Sequence, residues 1–372
     1  MIKLFAVING EVIEDLEENT TPTYTRIHYL LNELENFEDM EVISISFHLR
    51  PKKGLVSILC NNMLKAAVAL RSALTLVLFR PFVYFAYPHS LTTVQNRAIF
   101  WLCRMIDLII ILDIHDTVEQ ANAVGTGRSK LNEVYEGYCF RESTLLLPSM
   151  DGPLWRRLLE AYEIPEDKHI VYVPNAFEDE FIQYYPEPYK SQCNRFNVCY
   201  IGAITKNRGI ELLVQACSDL HRRYPWLRLL LLGTYGEGIS EQTSHLISES
   251  DFITLKEIPR RDIPRSFADI DLFVMPYNPL EIYMNSITPT KFFEYIGTGK
   301  PIISTKCESI RDIGSDGSIM YVDYEIVDFE RKMERLICSP KLREEMSIKL
   351  LAIREKHTWK ERADRIYKEL SR

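Results

Sequence analysis

Short apolar runs rich in β-branched residues alternate along this chain with longer stretches in which apolar positions recur every three or four residues. In the first half the runs are IKLFAVI, EVISISF, FVYFAY, LIIILDI, TLLLP and IVYVP; in the second they are NVCYI, RLLLLG, FITL, DLFVMP, PIIST and IMYV. Runs this short and this continuous suit strands buried on both faces, and the amphipathic stretches between them suit crossover helices. Six strands interleaved with helices, twice over, predict an α/β protein of two Rossmann-like, doubly wound parallel sheets. The Pro-rich, polar stretch YYPEPYKSQCNR (184–195) marks the break between them. The expected domains are therefore 1–185 and 186–355, followed by a terminal helix over 356–372. That helix, in HTWKERADRIYKEL, is capped and amphipathic, with Trp359 and Tyr367 as its apolar anchors. In open parallel sheets ligands sit beyond the carboxyl ends of the strands, so two such domains are expected to face each other across a ligand-holding cleft.

One stretch breaks a local rule. In SITPTKFFEYIGTGKP (286–301) Thr288 reads as an N-cap, Pro289 as the first helical residue, and Gly297 or Gly299 as the stop. Lys291 then falls in the first turn, where a cation opposes the helix dipole by roughly 0.3–1 kcal/mol. Phe292, Phe293 and Ile296 share one face; Lys291, Glu294 and Thr298 share the other. Either that second face is solvated and carries a Lys–Glu pair, or the helix start and Lys291 together hold an anion, with Glu294 meeting hydroxyl groups of the same ligand.

Composition narrows the choice. The chain has 372 residues, 46% of them hydrophobic and 26% charged, which suits a globular protein with room for two cores. Its eight cysteines show no CxxC and no pairing pattern, and MIKLFAVING has no long apolar signal segment, so the expectation is a cytoplasmic protein with reduced thiols. Net charge is −8, but Val42 to Ile106 contains no acidic residue and carries +8, leaving −16 elsewhere. A basic surface within a chain this acidic is read as facing a polyanion, a phosphorylated acceptor or the inner face of an anionic membrane, with Arg50, Lys52, Lys53, Lys65 and Arg71 as its contacts. The apolar segment 64–79, which holds Lys65 and Arg71, is too short to span a bilayer but could lie in its interface.

The chemistry-bearing loops lie at strand ends. No GxGxxG follows the first strand of either half, and there is no Walker A sequence, so dehydrogenase and P-loop classes are excluded. YIGAITKNRGIELLVQA (200–216) instead gives a strand, a glycine turn, two cations and a helix. Gly202 and Gly209 permit close backbone approach, and Lys206 and Arg208 can reach a phosphate. With Lys291 this makes two converging cationic sites and one carboxylate, a set that suits a nucleotide diphosphate sugar. No metal-ligand cluster is present and nucleic acid is not an expected partner.

At these residues the sequence resembles a family. VPNAFEDEFI, YIGAITKNRGIELLVQA, LLLLGTYGEG, ADIDLFVMPY and SITPTKFFEYIGTGKPIIST come in the order and spacing of GT-B glycosyltransferases, most like the retaining group 1 (family 4) enzymes. The resemblance is good over 170–360 and loose before, at DIHDT (113–117) and in RESTLLLPS. It implies that Glu294 binds the donor ribose, and that Arg208 and Gly202 serve the diphosphate. It also implies that the amides and side chains around Thr288, Thr290 and Lys291 meet phosphate and sugar, and that the Glu257–Ile258 backbone meets the base. His115 would stand near the reacting sugar; Asp116 reads as a base or merely a helix cap. The terminal helix would cross back onto the first domain. Ser286 stands where many members carry a glutamate, so Ser286, Asn285 or Glu281 would contact the sugar instead. Ala203 replaces a usual arginine, which places more of the diphosphate charge on Arg208 and Lys291. EENTTPTYTR (17–26) replaces the usual glycine-rich acceptor loop.

The resemblance thus implies a hexosyl-type transferase, without a metal or other cofactor, moving sugar from a nucleotide diphosphate donor to a glycan or lipid-linked acceptor in polysaccharide or glycoconjugate synthesis. The alternatives are an epimerase or hydrolase of the same fold, or a non-catalytic sugar-nucleotide-binding subunit.

Overall fold

The computed structural model describes residues 1–8, 22–46, 55–123, 132–190, 195–236 and 238–372. It contains two six-stranded parallel sheets. In the first, β1 (Ile2–Ile8), β2 (Met40–Ser46), β3 (Phe82–Tyr87), β4 (Ile110–Ile114), β5 (Leu145–Pro148) and β6 (His169–Ile170) are ordered β2-β1-β3-β4-β5-β6. In the second, β7 (Phe196–Ile201), β8 (Leu227–Leu232), β9 (Ile253–Lys256), β10 (Leu272–Met275), β11 (Ile302–Thr305) and β12 (Ile319–Val322) are ordered β12-β11-β10-β7-β8-β9. Eleven of the twelve apolar runs form one of these strands; IVYVP (170–174) gives only Ile170 to the two-residue β6 and is otherwise extended outside the sheet's strands. The central strands β4 and β10 are buried at every position, as strands covered on both faces must be. The fold class is α/β, two doubly wound parallel sheets.

The chain forms two compact units, one of Met1–Met150, Arg156–Pro174 and Arg362–Arg372, the other of Asp151–Trp155 and Asn175–Glu361. The change of unit comes at Pro174 rather than at the Pro-rich stretch ten residues on. The cause is apolar: Phe177 and Phe181 are fully buried in the core of the second unit, and the Phe177 ring leaves no room for a β-carbon at Gly297. Composition marks where a chain is polar, not where its side chains lodge. At the other end, the Trp359–Leu370 helix leaves the second unit after Glu361; in the first unit Tyr367 stacks on Phe37 with ring centroids 4.0 Å apart and donates to Asp39 at 2.7 Å.

One buried lysine secures the turn into β10. Lys300 Nζ donates to the carbonyls of Phe267 at 2.7 Å and Ile270 at 2.9 Å, and also to that of Ala268. Its burial lowers its pKa to about 8. Lys300→Met keeps the stem but takes the ammonium from all three carbonyls, leaving that of Phe267 only the Ile270 amide at 3.2 Å. The expected loss is about 2–4 kcal/mol, read as a lower urea midpoint at constant m. A loss under about 1 kcal/mol would mean that water replaces the ammonium.

Candidate active site

In the second sheet, strand order reverses between β7 and β10, which lie side by side while the chain winds outward on opposite sides. Such a reversal opens a crevice at the strands' carboxyl ends. Gly202 follows β7, Pro276 and Tyr277 follow β10, and the Thr290–Thr298 helix precedes β11. Two glycines here have positive φ, and at the second of them backbone leaves no space for a side chain. Gly202 has φ +114°, and a β-carbon on it would run into Lys291 Nζ. Gly209 has φ +72°, and a β-carbon there would collide with the Pro276 carbonyl. The first lets a lysine ammonium lie against the backbone; the second lets the Ile210–Arg223 helix start beside the end of β10.

Lys291 and Arg208 come together around two tyrosines. Lys291 Nζ donates to Tyr200 Oη at 3.1 Å, and lies 4.3 Å from the Tyr200 ring centroid and 5.8 Å from that of Tyr277. Arg208 donates to the Tyr277 hydroxyl with its guanidinium 5.1 Å from that ring's centroid. Among the described residues neither cation has a carboxylate partner. Burial, and then the charge of Arg208, hold the Lys291 ammonium well below the ordinary lysine range; Glu294 opposes this. Two cations are thus held close without an anion, and a bound anion would restore the lysine's charge. Thr290, first in the helix, keeps its hydroxyl buried and unpartnered there. The exposed Lys206 opens the short turn that ends in Arg208. Glu257 and Ile258 follow β9, at the same carboxyl edge of the sheet.

The Thr290–Thr298 helix differs from expectation in two ways. Pro289 is not its first residue but its cap, extended with ψ 139°, so the helix starts after Pro289, and Thr288 lies one residue before the cap position. Nor does it have a solvated face: every residue but Lys291 is buried, and Gly299 at φ +65° ends it. Glu294 is only 2% exposed and pairs with Arg260, which also pairs with the buried Glu178. No Lys291–Glu294 pair forms. Arg260 places Glu294 at the ligand edge by its charge rather than by the helix wheel. Asn175 Nδ2, near Glu178 in the chain, donates to the Thr288 carbonyl at 2.7 Å and fixes the approach to the helix.

Ser286 is not placed to meet a sugar. It is fully buried, accepts from the Leu154 amide at 2.8 Å and donates to the Ile282 carbonyl at 2.8 Å. Asn285 is occupied too, its side chain accepting from the Glu308 amide at 2.7 Å. Glu281 is exposed. Tyr200, Tyr277, Arg260 and Glu178 escaped the sequence reading. Tyr277, placed directly after a strand, carried the one usable signal; Tyr200 is hidden in an apolar run.

The first unit holds a second cluster. Asp113, at the end of β4, is fully buried and takes Arg26 Nη2 at 2.6 Å, Arg26 Nε at 3.1 Å and the Tyr84 hydroxyl at 2.5 Å. His115 lies beside it, with Nδ1 3.7 Å from Asp113 Oδ2. Both of its ring nitrogens are buried without a hydrogen-bond partner. Burial is the main cause that lowers its pKa, to about 3, so the imidazole is neutral. Asp116 is not the cap of the following helix: Thr117 Oγ1 accepts from the Gln120 amide. Of the basic contacts, Arg50, Lys52 and Lys53 lie outside the described residues. Lys65 is in the Leu55–Phe79 helix, with its side chain not described, and Arg71 is exposed on the same helix.

Comparison with known proteins agrees with this geometry. Residues 184–349 match the model of the family described as glycosyl transferases group 1. A colanic acid biosynthesis glycosyltransferase of Escherichia coli (strain K12), by its name, is 23% identical over 196 residues, covering 50% of this chain and 46% of its own length. The match therefore spans about half of that relative. Among solved structures, the sucrose-phosphate synthase of Thermosynechococcus elongatus is 13% identical with a TM-score of 0.68, over 99% of this chain and 98% of that one. A trehalose-6-phosphate protein of E. coli bound with UDP-2-fluoro glucose is 11% identical with a TM-score of 0.61, over 99% and 98%. The UDP-GlcNAc 2-epimerase of Neisseria meningitidis is 14% identical with a TM-score of 0.53, over 99% of both chains. At such identities the structural likeness speaks to fold alone. The matched residues 184–349 contain the whole second sheet, which builds the switch-point site.

Proposed function

We propose that this protein is a glycosyltransferase that takes a nucleotide diphosphate sugar and passes its hexosyl group, with retention, to a glycan or lipid-linked acceptor of a cell-surface polysaccharide or glycoconjugate. The observation that carries the reading is the pair Lys291 and Arg208, two cations without a carboxylate partner among the described residues, at the switch point of a group 1 domain. In transfer, the bond between the sugar's anomeric carbon and the diphosphate oxygen breaks. A bond to the acceptor oxygen forms, and the acceptor's proton departs. The diphosphate leaves with added negative charge, which Lys291, Arg208 and the amides at Thr290 are placed to meet. Lys206 extends the same cationic edge. Glu294, oriented by Arg260, accepts from the ribose diol, and the Glu257–Ile258 backbone meets the base. His115, neutral and with unpartnered nitrogens, takes the sugar or acceptor side, with Asp116 next to it. These side chains supply the positive charge themselves, so transfer should persist in EDTA.

A screen of nucleotide sugars, with and without glycan and polyprenyl-phosphate acceptors, tests the reading. Acceptor-dependent release of nucleoside diphosphate supports transfer. Consumption of the donor without acceptor would replace it with an epimerase or hydrolase, and binding without turnover with a non-catalytic subunit. Glu294→Gln should keep the fold, because Arg260 retains Glu178. It should weaken nucleoside diphosphate binding by about 1.5–3 kcal/mol, the worth of a hydrogen bond to a charged group. Unchanged affinity in calorimetry would remove Glu294 from the site.

A further inference from the structure

Two helices of the first unit turn apolar rows outward. In the Val94–Met105 helix, Asn96, Ile99, Phe100 and Cys103 form the buried side, at helical spacing. The opposite side carries Val94, Ala98, Trp101 and Met105, again one helical row, all exposed; Trp101 is 58% and Met105 63% exposed. In the Leu55–Phe79 helix, Ser72 and Leu76 face inward while Leu70, Leu74, Val77 and Leu78 are exposed, Leu78 at 71%. The two helices are in contact. A helix facing water ordinarily reverses this pattern and puts charge outside. Single exposed apolar residues are common, but aligned rows on neighbouring helices form the kind of surface that marks an interaction site.

Charge says what covers it. Neither helix, nor the chain between them, contains an acidic residue. Arg71 stands exposed on the Leu55–Phe79 helix beside Leu70 and Leu74, and its guanidinium has no carboxylate partner within ion-pair distance among the described residues. Arg80, just past the end of the Leu55–Phe79 helix, is exposed and donates to the Asp107 carbonyl at 2.9 Å, while Arg104 in the other helix is paired with Glu142. A surface apolar in its rows, with Arg71 and Arg80 beside them and carboxylates only on neighbouring elements (Glu41, Asp107 and Glu142), suits a bilayer carrying anionic lipid: side chains enter the acyl boundary, Trp sits at headgroup level, and arginines meet phosphate. Among the described residues no helix is long and apolar enough to cross a membrane.

We propose that these outward rows seat the protein in the plane of an anionic membrane surface, with Leu70, Leu74, Leu78, Trp101 and Met105 entering the interface and Arg71 meeting lipid phosphate. This attachment stands whether or not the transferase reading holds. It keeps the apolar segment 64–79 expected to lie in the interface and adds the outward row of the Val94–Met105 helix, so the salt response differs from that of a purely charged contact. Salt screens the arginines, but the apolar part survives.

Flotation of the full chain with vesicles of phosphatidylcholine, alone or mixed with phosphatidylglycerol, tests it. The wild type should float with the mixed vesicles, and raising salt should reduce but not abolish this. The triple variant Leu70→Gln, Leu74→Gln, Leu78→Gln should keep its melting temperature, since these residues are exposed, and lose attachment by about tenfold or more. Arg71→Gln should lose only a part, and only at low salt. Fluorescence emission should shift to the blue on vesicle addition in the wild type but much less in Trp101→Phe. No flotation at low salt, or flotation indifferent to the triple change, overturns the proposal. So does a wild type that is dimeric in solution and becomes monomeric in the triple variant, since the rows would then face a second copy of the chain.

Discussion

Lys291→Ala and Arg208→Ala are each expected to lower turnover on the order of 10²-fold or more, with a smaller loss in donor affinity. Charge on the diphosphate grows as the sugar departs, so a cation placed there acts more strongly on the transition state than on the bound donor. The geometry adds a second expectation. The Lys291 ammonium occupies the place where a β-carbon on Gly202 would stand, 4.3 Å and 5.8 Å from two tyrosine ring centroids, and a guanidinium is wider and planar. Lys291→Arg should therefore fail to rescue, although it keeps the charge. Burial and Arg208 already hold Lys291 well below the ordinary lysine range in the ligand-free protein. Donor affinity should then fall as pH rises through that depressed pKa, at a pH where a solvated lysine is still charged, and this slope should vanish in Lys291→Ala. Steady-state kinetics and calorimetry of nucleoside diphosphates separate the two effects. Because the cations share Tyr277, a double mutant no worse than either single would show them acting as one unit. Near-normal turnover in both single mutants would end the assignment.

The fold was legible in the sequence because its signal is local. A buried parallel strand is a short β-branched run bounded by turn residues, and eleven of the twelve runs formed a strand on that pattern within their own length. The glycines were legible for the same reason. Gly202, Gly209 and Gly299 all have positive φ, a property of one residue and its immediate turn. What could not be read is what distant residues do to one another. The wheel of the Thr290–Thr298 helix separates Phe292 from Glu294, yet both are buried, because Arg260, from another loop, neutralises the carboxylate. Tyr200 and Tyr277 contribute to their strands as apolar residues and to the site through hydroxyls that only the assembled sheet brings to Arg208 and Lys291. Ser286 shows the reverse error. A serine in a ligand loop suggests a hydroxyl for the sugar, but an amide 132 residues away in the chain takes it. The misfit Lys291 was the one long-range fact that the sequence did betray, because a first-turn cation opposes its own helix and calls for some compensation from outside.

Asp113→Asn is expected to be the most destabilising single change in the first unit, with a loss of about 3–5 kcal/mol. The substitution keeps the shape of the side chain but removes the charge that balances Arg26, and both groups are fully buried. The penalty lies mostly in the guanidinium left without its carboxylate rather than in the lost attraction. Replacing both partners, as Arg26→Met with Asp113→Leu, should therefore restore a good part of the stability. The cluster also sets a response to acid. Burial alone would raise the Asp113 carboxyl, but the Arg26 guanidinium holds it below the ordinary carboxylate range. His115, lowered mainly by burial to about 3, stays neutral in the folded protein. Both groups have a depressed folded pKa, so each contributes stability above its unfolded pKa and loses it as pH falls. For His115 the decline begins near the unfolded histidine value of about 6.5, and for Asp113 only below about 3.9. Urea midpoints of the wild type should thus start to fall at mildly acidic pH, and His115→Phe should remove that first decline while leaving the carboxylate's. If Asp113→Asn shifts the midpoint by the equivalent of less than about 1 kcal/mol, Arg26 has found another acceptor and the pair does not organise this unit. If His115→Phe keeps the decline near neutral pH, the titrating group is a different histidine.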